Sequence, residues 1–212
     1  YRNGKRLLMN SESEPSAALA TGISITLLID NSGSMTSEGG IASATDFQRR
    51  LVSEMTTSSR KSNVPIWIRA LYFSDLPEWQ QAEAVSIDQF EPTTITAGQF
   101  SNFGNALKLV LDAMGQQRDS GRSVLIWIGD GFVTDEWLDQ AERLRTDPKF
   151  QDIERYAVHP EGRLHHSSLR WFAGASDRVI PARAAGNLFH DLPIPPISPS
   201  SPAVDDWDDD VF

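Results

Sequence analysis

Apolar positions in this chain alternate between short continuous runs and stretches of helical period. Residues 23–29 form a near-continuous apolar run, the pattern of a parallel strand buried on both faces. Ala44, Phe47, Leu51 and Met55 then recur at helical spacing. Residues 65–73 predict a second strand, followed by a loop holding Pro77, and residues 84–87 predict a short strand that pairs as a hairpin or edge. Leu107, Val110, Leu111 and Met114 form an amphipathic helix closed by Gly115, and residues 124–128 are the next fully apolar strand. Thr134 or Asp135 is expected to cap a helix in which Trp137, Leu138, Ala141 and Leu144 share a face. Residues 153–158, 169–172, 178–180 and 184–188 continue the alternation more weakly, and no fixed-period repeat is present.

This order predicts an α/β fold: a doubly wound, mostly parallel central sheet with helices on both faces and one short antiparallel edge strand. Ligands in such sheets sit beyond the carboxyl ends of the strands, at the switch point. Asp30, Ser101 and Asp130 all fall at that edge.

Composition narrows the function. A chain of 212 residues with 40% apolar residues has material for one core, expected over residues 22–192. A net charge of -10 argues against nucleic acid, which requires clustered Lys and Arg. Without cysteine there are no disulfides, thiolate nucleophiles or Cys-based zinc sites. The longest apolar runs are strand-length, short of the roughly 20 residues of a membrane helix. Residues 1–21 contain no continuous apolar leader and are read as an extension outside the fold, a tag remnant or disordered segment. A cytoplasmic location is expected. Residues 193–212 are rich in Pro and end in five aspartates around Trp207, with Phe212 last. Two readings are open: a solubilising tail, or a docking peptide anchored by Trp207 and Phe212 whose carboxylates meet a basic or metal-bearing surface.

The segment Asp30-Asn31-Ser32-Gly33-Ser34-Met35 carries the candidate chemistry. One carboxylate and two hydroxyls at alternate positions can face the same way from a tight turn, offering part of the all-oxygen shell that a hard cation takes. The segment resembles the first motif of von Willebrand factor type A domains, the Asp-x-Ser-x-Ser half of their metal-ion-dependent adhesion site (MIDAS). Ser101-Asn102-Phe103-Gly104-Asn105-Ala106-Leu107 resembles the second element, with Ser where Thr is commoner. The apolar strand 124–128 leading to Asp130-Gly131, with Asp135 beyond, resembles the third. The likeness covers about residues 22–192. It implies Asp30, Ser32, Ser34, Ser101 and Asp130 as ligands of Mg²⁺ (Mn²⁺ or Ca²⁺ as alternatives) and a protein partner that supplies an Asp or Glu to the ion. Asp135 is read as a helix cap or a residue behind the ligands. Among bacterial members the body is most similar to tellurite-resistance-associated, TerY-like proteins, the helix from Gly104 to Asp112 most of all. That resemblance implies an adaptor between a protein kinase and a protein phosphatase in a stress response. An adaptor for an AAA-type ATPase is the alternative within the same fold.

Two enzymatic readings are weaker. A haloacid dehalogenase-type phosphatase also places an Asp after an apolar strand, but it needs a second carboxylate two residues on, and that position is Ser32. Serine hydrolysis lacks a Gly-x-Ser-x-Gly elbow. The histidines all fall late in the chain, and adjacent His165 and His166 are read as a solvated helix start rather than a metal site. Trp67 and Trp127 fall in strands, Trp137 and Trp171 on apolar helix faces, and Trp79 is expected at the surface. The chain is therefore expected to bind rather than catalyse.

Overall fold

The computed structural model describes residues 22–81, 83–116, 121–160 and 166–184, with 186 and 188. The expectations for residues 1–21 and 193–212, including Trp207 and Phe212, lie outside the described residues.

Strand β1 (Ile23–Asp30) is buried along its whole length, as its apolar run demands. A 3₁₀ turn over Gly33–Gly39 leads into α1 (Gly40–Ser62). Arg60 and Lys61 in its last turn complement the helix dipole, and Asn63 ends it in the left-handed region at φ 55°. Strand β2 (Ile66–Phe73) follows, then the short strands β3 (Pro77–Trp79) and β4 (Val85–Ser86). Helix α2 (Phe103–Gln116), strand β5 (Arg122–Ile128), α3 (Leu138–Thr146), β6 (Glu154–His159), α4 (His166–Ala173) and β7 (Val179–Pro181) complete the described chain.

Among the described residues the sheet has seven strands in the order β3-β2-β1-β5-β6-β7, with β4 also on β2. The pairings from β2 through β7 are parallel, and both β3 and β4 run antiparallel along the outer edge of β2. Two details differ from the sequence pattern. Pro77 opens a strand instead of sitting in a loop, which an edge tolerates because proline's missing N–H leaves a sheet only at its border. Gly115 does not close α2, which runs one residue further. Trp79 is half-buried, with the Arg69 guanidinium 5.0 Å from its ring centroid.

Period-two alternation in the strands divides the core. Ile25, Leu27 and Ile29 of β1 join Ile66, Ile68, Val124 and Ile126 against Phe47, Leu51 and Met55 of α1. Leu28, Leu71, Leu125 and Trp127 face the other way, against Phe103, Leu107 and Val110 of α2, Ala141 and Leu144 of α3, and Leu169 and Phe172 of α4. From β1 the chain crosses through α1 to β2 on one side, and later returns through α2 to β5 on the other. The carboxyl end of β1 is thus the switch point where connections part to opposite faces, and Asp30 is its last residue.

Candidate metal centre

Asp30 is fully buried at the end of the central strand. Its Oδ1 accepts the Ser32 amide at 2.8 Å, so the chain turns at once. That turn brings the Ser32 and Ser34 hydroxyls to within 3.1 Å of each other. Ser101, 71 positions further along, donates its hydroxyl to Asp30 Oδ2 at 3.3 Å. Asp130, also buried, follows β5, and its Oδ1 accepts the Phe132 amide at 2.9 Å. Between them Gly129 has no room for a side chain: a Cβ there would lie 2.8 Å from Asp30 Cβ and 2.7 Å from Trp127 Nε1.

Ser101 is held by its neighbours rather than by its own loop. The Gly33 amide donates to Gln99 O at 3.0 Å and the Gly98 amide to Asn31 O at 2.7 Å, joining the two loops. Asp75 accepts the amides of Gln99 at 3.0 Å and Phe100 at 3.4 Å. Thr134 clamps Ser101 itself: its hydroxyl accepts the Ser101 amide and donates to the Ser101 carbonyl, each at 3.0 Å, while its amide donates to the same carbonyl at 3.1 Å. Immediately beyond, Phe103 stacks on Trp127 with centroids 4.0 Å apart and packs near Phe73, Trp137 and Phe172.

Asp135 is a helix cap, but of a different helix from the one that follows it. Its Oδ2 accepts the amides of Gly104 at 2.7 Å and Asn105 at 3.4 Å, at the start of α2. Helix α3 begins only at Leu138, where Trp137 provides no side-chain cap. The β5–α3 loop runs back over the first turn of α2, so closely that a Cβ on Gly104 would meet Glu136 O at 2.7 Å and Trp137 Cα at 3.0 Å. The free amides nearest Asp135 therefore belong to α2. Burial raises the Asp135 pKa, and those backbone hydrogen bonds partly offset it.

The electrostatics are those of an uncompensated anionic site. Burial lifts Asp30 from the usual 3.8 to about 7, the like charge of Asp130 adds to this, and hydrogen bonds from Ser32 and Ser101 work against it. Among the described residues no Lys or Arg pairs with Asp30 or Asp130. Nor do they contain a cluster of three or more His, Cys, Asp or Glu that could hold a metal ion, so any ion here would rely on hydroxyl oxygens as well. Two carboxylates and three hydroxyls, oxygen donors throughout, fit a hard divalent cation, whose charge would favour the ionised form of the buried Asp30. The structure brings Asp30, Ser32, Ser34, Ser101 and Asp130 together, with Asp135 behind Ser101 through α2.

Thr134 and Asp75 support the candidate site, and the sequence alone does not mark them as such. Thr134 read as a helix cap, and only the packing of the β5–α3 loop on residues 98–101 reveals its partner. Asp75, one of many surface acids by pattern, carried no signal.

Comparison with known proteins agrees with the architecture. The chain is similar to the ArnB paralog VWA2 from Sulfolobus acidocaldarius (22% identity, TM-score 0.56, covering 81% of this chain and 44% of that one). It is also similar to a von Willebrand factor type A protein from Catenulispora acidiphila (11%, TM-score 0.60, 81% and 42%). A third similar structure is proximal thread matrix protein 1 from the mussel byssus, with a zinc-occupied MIDAS motif (15%, TM-score 0.55, 81% and 45%). The chain spans a little under half the length of each. No curated protein matches it. The family model of the von Willebrand factor type A domain matches residues 24–188, and with that span of the chain in register the protein belongs to this family.

Proposed function

We propose that this chain is a metal-dependent protein-interaction module that captures an Asp or Glu carboxylate of a protein partner. One observation carries the reading: Asp30 and Asp130 are buried, pair with no Lys or Arg among the described residues, and lie with the hydroxyls of Ser32, Ser34 and Ser101 at the carboxyl end of the central strands. Ser32, Ser34 and Ser101 would hold the ion as neutral donors, and Asp30 and Asp130 would supply charge. A divalent ion held by so few charges retains electrophilicity for an outside carboxylate, and desolvated contacts of that kind dominate small interfaces. The zinc-occupied motif of the mussel protein supports a divalent cation. Mg²⁺ is the proposed occupant, with Mn²⁺ or Ca²⁺ next.

The module has no catalytic activity in this reading, since Ser32 occupies the position where a phosphatase of the haloacid dehalogenase type needs its second carboxylate. Its finer role is proposed as a cytoplasmic, TerY-like adaptor between a kinase and a phosphatase in a bacterial tellurite-resistance or related stress system, supported by the likeness of the α2 segment alone. Among the described residues no helix is long and apolar enough to cross a membrane.

Titration calorimetry with Mg²⁺, followed by affinity capture from the native host with and without chelator, tests the proposal. Divalent uptake that Asp30→Ala removes, with chelator-sensitive capture of a kinase or phosphatase, is the expected result. No uptake, or hydrolysis of a phosphate ester in Mg²⁺ that Asp30→Asn abolishes, would overturn it; capture of an ATPase instead would replace the proposed partners.

A further inference from the structure

The surface between α3 and α4 carries two features that the metal centre does not use. The first is a cavity of about 360 Å³ lined by Phe132, Val133, Trp137, Leu138 and Trp171, among others. Leu138 is 61% exposed and Phe132 44%, so large apolar side chains gather at one rim, the mark of an interaction site.

The second is a trio of arginines below it. Arg145, in the last turn of α3, lies 5.4 Å from the ring centroid of Trp171, the residue that also walls the cavity. Arg178 lies 5.6 Å from the ring of Tyr156. Arg155 on β6 feels both charges; burial first, then Arg145 and Arg178, lower its pKa. Its Nη1 is buried without a hydrogen-bond partner, and the end of α4 closes on it so tightly that a Cβ on Gly174 would sit 2.9 Å from Nη2. Nearby carboxylates answer these charges only in part. Glu142 lies 3.9 Å from Arg145, and Glu154, whose charge Arg178 feels, is already held by Arg122. One cation at a helix C-terminus is ordinary. Arg145 and Arg178 flank a third guanidinium, that of Arg155, and guanidinium forks on such a surface suit carboxylates.

The anion has a source in the same chain. Five of its acidic residues are packed into residues 205–210 around Trp207, half of the protein's net charge of -10. Sixteen residues, 189–204, separate that segment from Leu188, the last described position. Rich in proline, they reach about 50 Å at roughly 3.1 Å per residue. A domain of this size is about 40 Å across, so the distance is no obstacle.

We propose that the α3–α4 groove is the docking site of the chain's own residues 205–212, with the aspartates on Arg145 and Arg178 and the Trp207 indole in the cavity between Leu138 and Trp171. This stands apart from the metal reading, since none of these residues is a proposed ligand. The test is amide hydrogen exchange of residues 203–212 in the full chain, compared with Arg145→Glu/Arg178→Glu and with a variant in which all five tail aspartates become Asn. The tail variant leaves the domain untouched, which keeps the result readable should the arginine variant fold poorly. The expected result is exchange slowed at least about tenfold in the parent chain, and released both by either variant and by high salt. Exchange at unstructured rates in the parent chain, protection that survives both variants, or protection that rises with protein concentration would overturn the proposal.

Discussion

Asp30→Asn isolates the cost of the uncompensated carboxylate. The native protein holds the Asp30 proton up to about pH 7, whereas the unfolded chain loses it near 3.8. Folding therefore bears no cost from this group below pH 3.8, a growing cost between 3.8 and 7, and the full cost above. Stability contributed at low pH is lost as pH rises through the folded value. At 1.36 kcal/mol per pH unit the full cost is about 4 kcal/mol, and at pH 5 about 1.5 kcal/mol. Asparagine keeps the oxygen that accepts the Ser32 amide and presents an NH₂ that the Ser101 hydroxyl can accept, so the change removes charge with little loss of hydrogen bonding. In chelator at pH 8 the variant should be more stable than the parent by about 1–4 kcal/mol, and the gap should narrow toward pH 5. Saturating Mg²⁺ should reverse the order, because binding at 100 times Kd adds about 2.7 kcal/mol to the parent and little to the variant. Urea unfolding at pH 5, 6, 7 and 8, with chelator or Mg²⁺, reads all of this. Comparing the two proteins cancels the titration of other carboxylates. A variant no more stable than its parent in chelator at pH 8, with a difference independent of pH, would refute the argument that burial of an unpaired Asp30 dominates the site.

Other perturbations address the remaining links. Apparent Mg²⁺ affinity should fall about tenfold per pH unit below pH 7, because the ion must displace the Asp30 proton, and calorimetry at pH 6 and 8 measures this. Thr134→Val should cost about 1–3 kcal/mol and weaken metal binding, since it leaves the Ser101 amide without its partner; Thr134→Ser should restore both in the same titration. Asp135→Ala should cost about 1 kcal/mol by uncapping α2, seen as faster hydrogen exchange at residues 104 and 105 and not in α3. Phe103→Ala should cost about 3–5 kcal/mol in urea unfolding by opening a hole in the aromatic cluster beneath Ser101.

Much of the architecture can be read from hydrophobic period alone. Strands buried on both faces need nearly every residue apolar, so residues 23–29 and 124–128 declare themselves, and α1 and α2 follow from their apolar stripes. The short edge strand β3 does not: it has three residues and starts at proline, and it exists because β2 offers it an unpaired edge, whereas β4 matches the strand expected over residues 84–87. The five candidate ligands also stand out as candidates in the sequence, because they lie in turns after strands or just before a helix, where a parallel sheet collects its loops. Only the folded chain decides what supports them. Thr134 reaches Ser101 and Asp135 reaches α2 because the β5–α3 loop doubles back across Gly104, a contact between residues some thirty positions apart that no local pattern encodes. The elevated proton affinity of Asp30 is likewise a tertiary property, since it comes from burial and from the charge of Asp130, neither of which is written in Asp-x-Ser-x-Ser.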